Sequence, residues 1–100
     1  MSELNLTLLC PPEVEEQLLD LLLMSPSQTI FTSTPTAAHG LAHGNFSQAE
    51  QVLGRASATQ IQVIISAADK PALLEDIHRR LAGAGVRYWV TPVVEAGEII

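Results

Sequence analysis

The stretch "TQIQVIISAADKPALLEDIHRRLAGAGVRYWVTPVV", Thr59 to Val94, decides how this chain reads, because its hydrophobic period changes twice along its length. In "TQIQVIIS" Ile61, Val63 and Ile65 alternate with Gln62 and Ser66, the two-residue period of a strand with one face on a core, while Ile64 covers part of the other face. Asp69 then stands where a helix cap belongs, and Pro71 falls in the first turn, where its missing N–H costs nothing. Leu73, Leu74, Ile77 and Leu81 lie on one side and Glu75, Asp76, Arg79 and Arg80 on the other, so the spacing predicts an amphipathic helix ended by Gly83 or Gly85. "VRYWVTPVV" follows as a strand, and Pro92, which cannot donate a ladder bond, puts it at a sheet edge or at a bulge.

Outward toward the N-terminus the same order repeats. Leu4, Leu6 and Leu8 alternate with Asn5 and Thr7, and "CPP" stops the strand. Val14, Leu18, Leu21 and Leu22 recur at helical spacing behind Glu13, Glu15 and Glu16, which suit the positive end of a helix running from about Pro12 to Met24. After the turn chemistry of "SPSQ", the β-branched and aromatic run Ile30 to Thr34 predicts a second strand from about Gln28 to Ala37.

Strand, helix, strand, strand, helix, strand is the α+β, ferredoxin-like βαββαβ order. It implies a four-stranded antiparallel sheet with two helices on one face and a long loop between strands two and three. The tail "EAGEII" is acidic with an apolar end and fits no element. If the alternation holds, Leu9, Phe31, Ile64 and Trp89 project on the uncovered face, and a partner is expected to cover them, most simply a second copy.

At 100 residues the chain makes one domain, 1–100, and its 47% of hydrophobic residues suffice for a core. A net charge of −6 with five cations, Arg55, Lys70, Arg79, Arg80 and Arg87, cannot build the basic face that neutralises a phosphate backbone, so nucleic acid is excluded as a partner. Cys10 is the sole cysteine, which rules out an internal disulfide and fits a reducing cytoplasm. The first residues lack the pattern of an export signal, and "LLDLLL" is too short to span a bilayer. The expectation is a soluble cytoplasmic protein with no membrane insertion.

Three features carry a family resemblance: the entry "LNLTLLCPPEVEEQLLDLL", the long excursion between strands two and three, and the run "AGAGVRYWVTPVVEAGEI" with its aromatic-Val-x-Pro-Val core. In these the chain resembles the PII-like proteins, typified by the trimeric nitrogen-regulatory PII signalling proteins. The resemblance implies a homotrimer with sheets packed inward, adenine nucleotides and often a small metabolite in the clefts between subunits, and loops that engage membrane transporters or enzymes. Gly83 and Gly85 match the family's glycine-containing loop that approaches phosphates, Arg87 is the nearest basic residue, and Arg55 is the counterpart of the cation near the end of the signalling loop. The arginine pair that often follows the family's last strand is replaced here by a tail holding Glu95 and Glu98. The loop has no tyrosine to modify, and His39 stands where its strand meets the loop. A divergent member without classical nitrogen signalling is the expectation.

The excursion itself, "AAHGLAHGNFSQAEQVLGR" from Ala37 to Arg55, carries two motifs. His39 and His43 are four apart, and in a glycine-rich loop both rings can converge on zinc, nickel or copper, with Glu50 or a neighbouring subunit completing the shell; two exposed loop histidines are the plainer reading. Ser47 and Glu50 have capping-box spacing ahead of Val52 and Leu53, predicting a short helix before Gly54. Cys10 reads as a small buried residue and His78 as a helix-margin residue. No Ser-His-Asp or Cys-His constellation is visible, so an enzyme is not expected.

The leading expectation is a non-enzymatic PII-like regulatory protein that binds a small ligand, an adenine nucleotide or a divalent metal, between subunits. The 38–57 loop would contact a protein partner such as a transporter or metal-efflux system. The alternatives are a trimeric metal-tolerance protein using His39 and His43, and an amino-acid-binding regulatory domain that pairs side by side.

Overall fold

A computed structural model describes residues 2–26, 30–40 and 55–100. Strand β1 (Glu3–Cys10) leads through one tight helical turn, Pro12–Val14, into α1 (Glu15–Leu23). Strands β2 (Phe31–His39) and β3 (Arg55–Ser66) follow, then α2 (Lys70–Leu81) and β4 (Arg87–Val93). The sheet order is β2-β3-β1-β4, with every neighbouring pair antiparallel, which is the ferredoxin-like arrangement. Both edge strands contain a proline, Pro35 in β2 and Pro92 in β4, where a missing N–H costs least.

The core lies between the sheet and the helices. Leu6, Leu8, Ile61, Val63 and Ile65 meet Leu18, Leu21 and Leu22 of α1 and Leu73, Ile77 and Leu81 of α2, all buried. Each such side chain contributes about 1.5–3 kcal/mol by leaving water. At the edge of this core the Thr59 hydroxyl donates to Glu15 Oε1 at 2.7 Å, tying the first turn of α1 to β3.

Pairing register sorts the remaining residues by face, and the structure corrects three expectations. Phe31 lies opposite Val63, which in turn aligns with Leu6, so it sits on the helix side and packs against the core instead of joining the open face. Strand β2 has no apolar alternation to reveal this, and a shift of one residue exchanges the two faces. Leu9, Ile64 and Trp89 do lie on the open face, opposite Arg87, Asn5 and Thr7 respectively. Next, β2 runs on to His39 and β3 begins at Arg55, so the connection is 40–54 and not 38–57. Paired alanines extend the ladder there with little hydrophobic signal, as in Ala38 opposite Ala56.

The third correction concerns Asp69, whose carboxylate caps nothing: its backbone N–H instead donates to the Ser66 carbonyl and hydroxyl oxygen, at 3.1 and 3.2 Å. The end of α2 is as expected: after Leu81, Ala82 is extended and Gly83 takes φ 79° in the turn closed by the Ala84 N–H on the Leu81 carbonyl. The tail 95–100 forms no regular element and its side chains are exposed.

Candidate ligand cleft

A proline segment and a glycine segment face each other across a cavity. Cys10, at the end of β1, gives way to Pro11, whose carbonyl accepts a hydrogen bond from the Val14 N–H at 3.0 Å and closes the tight turn. Facing it is the loop after α2, where the Ala84 N–H donates to the Leu81 carbonyl at 3.0 Å and both Gly83 and Gly85 take positive φ, 79° and 88°. A Cβ on Gly83 would meet open space, whereas one on Gly85 would stand 3.2 Å from Pro11 Cγ. Gly85 is therefore required twice, for its backbone conformation and for the close approach of the loop to the proline ring.

Between them opens a cleft of about 720 Å³. Its remaining wall is the base of the β2–β3 hairpin, where Ala38, Ala56 and Ala58 present only methyl groups. Among the described residues two charged ones line it, Glu13 and Arg87, and both are exposed. Arg87 is placed by its ladder position opposite Leu9. The Cys10 thiol, buried in the same wall, has its pKa pushed up to about 11 by burial and then by the negative charges of Glu15 and Glu13. It is a neutral thiol at physiological pH, which makes it a poor nucleophile.

Of the residues singled out in the sequence, Gly83, Gly85 and Arg87 come together at this cleft. Arg55 opens β3 opposite His39, so its backbone adjoins Ala56 of the cleft wall. His39 is exposed at the end of β2. His43, Glu50 and the capped helix expected over Ser47 to Leu53 lie outside the described residues. Among the described residues no three His, Cys, Asp or Glu side chains gather where a metal could be held. His78 lines a second, smaller groove of about 430 Å³ with Leu74, Ile77 and Tyr88. Sequence reasoning missed Pro11, Glu13 and the alanines of the hairpin base as cleft residues. The signal available for them was the pair of small-residue runs "TAAH" and "RASA", which leave space where bulky strand residues would fill it.

No helix among the described residues is long and apolar enough to cross a membrane. A family model described as a protein of unknown function, DUF3240, matches residues 1–100. No curated protein matches the sequence. Among solved structures, a DUF3240 family protein from Shewanella baltica superposes with a TM-score of 0.83 at 17% identity, covering 100% of this chain and 99% of the other. The periplasmic divalent cation tolerance protein CutA from Archaeoglobus fulgidus gives 0.72 at 10% identity, with 96% and 88% covered. The GlnK–ATP complex from Bacillus subtilis gives 0.66 at 16% identity, with 92% and 83% covered. The fold is thus shared with PII-like and CutA proteins.

Proposed function

The chain belongs to the DUF3240 family, and from that premise we propose that it is a non-enzymatic, cytoplasmic regulatory protein of PII-like build. It works as a homotrimer, takes a small ligand in the cleft beside Gly83, Gly85 and Arg87, and signals to a protein partner, such as a transporter or efflux system, through the connection between β2 and β3. One observation carries this reading. The cleft wall includes Ala38 and Ala56, the paired residues where the hairpin hands over to the 40–54 connection, so a ligand seated there bears on the base of that connection. The open sheet face, with Leu9, Ile64 and Trp89 among polar residues and charged only toward its ends, at Glu3 and Arg87, supports self-association.

Sedimentation velocity at micromolar concentration is the test. A trimer is expected, and a monomer would overturn the reading, because the cleft then has no neighbouring subunit to close it.

A second reading is favoured by the likeness to CutA and by His39 standing exposed at the mouth of the connection. Here the chain binds a divalent metal through His39 and His43. Titration with zinc, copper and nickel should then show binding that the His39→Ala/His43→Ala double variant loses. Binding that survives in the variant would exclude these histidines as ligands.

A further inference from the structure

Glu13 and Arg87 line one cleft with opposite charges, and among the described residues neither has an ion-pair partner. Two such groups ordinarily gain by pairing when they can reach each other. They stand on separate segments, Glu13 after the Pro11–Pro12 turn and Arg87 after the Gly83–Gly85 loop, and line one cleft, which thereby carries a negative and a positive pole. The other lining residues are mostly small or apolar in type, Leu9, Ala56 and Val86 among them.

From this arrangement we infer that the cleft binds a small zwitterion with an apolar body, an α-amino acid such as leucine, its ammonium toward Glu13 and its carboxylate toward Arg87. The inference rests on the cleft being the ligand site proposed above, and it names the ligand class for that site. A polyphosphate fits poorly: among the described lining residues it would meet one cation, Arg87, with Glu13 alongside. The Cys10 thiol in the same wall, held protonated first by burial and then by the charges of Glu15 and Glu13, is consistent with a negative Glu13 side. Glu15 is already engaged by the Thr59 hydroxyl, which leaves Glu13 as the acid free to meet an ammonium. The apolar walls then distinguish leucine from glycine by the area each removes from water.

Isothermal titration of the full chain tests this with four probes: L-leucine, isocaproate (the same skeleton without the amine), isoamylamine (the same skeleton without the carboxylate) and ATP. Leucine should bind on the order of tenfold or more tightly than either truncated probe, as expected for one lost charge-assisted hydrogen bond. Glu13→Gln should erase the preference for leucine over isocaproate while keeping isocaproate binding. Arg87→Gln should erase the preference over isoamylamine. The inference is overturned if ATP binds more tightly than leucine, if leucine binds no better than isocaproate, or if neither substitution alters the ranking. Sedimentation of the same samples separates the two readings. A trimer that ignores leucine sinks the zwitterion and leaves the shared regulatory architecture, whereas a monomer that binds leucine does the reverse.

Discussion

The two faces of the sheet are built from the same four strands and obey opposite rules. On the helix side Leu6, Leu8, Ile61, Val63 and Ile65 are buried within a single chain. On the other side Asn5, Thr7, Gln60 and Gln62 run between Leu9, Ile64 and Trp89, with the Asn5 amide donating to Gln62 Oε1 at 3.4 Å. Trp89 keeps 46% of its surface exposed, although Thr7, its cross-strand neighbour, is buried. An apolar face holds a fold together, whereas a largely polar face with a few large apolar groups can stand in water alone and still has something to gain from a neighbour.

That contrast can be broken experimentally, beginning where the effect is largest. Leu18→Ala removes a fully buried side chain facing the helix side of the sheet and should cost about 2–5 kcal/mol in chemical denaturation. A cost under about 1 kcal/mol would mean that this face is not the core. Next, Gly85→Ala places a Cβ against Pro11 on a backbone of positive φ, and Gly83→Ala meets the backbone penalty alone. Both should destabilise by about 1–3 kcal/mol, Gly85 by the larger amount, and equal costs would show that the Pro11 contact yields freely.

A smaller effect is expected from Cys10 at alkaline pH. Its pKa stands at 9.0 when unperturbed and about 11 in the folded chain, so the unfolded state releases its proton first as the pH rises. The stability this thiol confers is complete below pH 9 and is lost as the pH climbs toward 11. Denaturation of the parent and of Cys10→Ala across that range should show a steeper decline in the parent, and parallel curves would contradict the burial of the thiol. The smallest effect on folding belongs to the open face. Trp89→Thr should alter monomer stability by about 1 kcal/mol or less while weakening self-association at least about tenfold. A large loss of folding stability with unchanged association would reverse the roles assigned to the two faces.

Legibility in the sequence followed the strength of the local period. Val14 in the tight turn, Leu18, Leu21 and Leu22 of α1, and Leu73, Ile77 and Leu81 of α2 are buried where helical spacing places them. Pro92 marks an edge strand, as its chemistry requires. The face of Phe31 is not legible, because β2, "FTSTPTAAH", offers no alternation from which to read one. The cleft was half legible. Gly83, Gly85 and Arg87 are neighbours in sequence, but Pro11, Glu13, Ala38 and Ala56 belong to segments that no short-range pattern connects with them.

The sequence by itself determined the order of elements, the apolar stripes of both helices and the placing of a proline strand at an edge, because these depend on periods of two and 3.6 residues and on backbone chemistry that acts locally. Only the tertiary structure decided which way Phe31 points, how far the β2–β3 ladder extends, and that Glu13 and Arg87 share one cleft. Those outcomes depend on pairing register and on the packing of the Gly85 loop against Pro11, which are set between residues far apart in the chain.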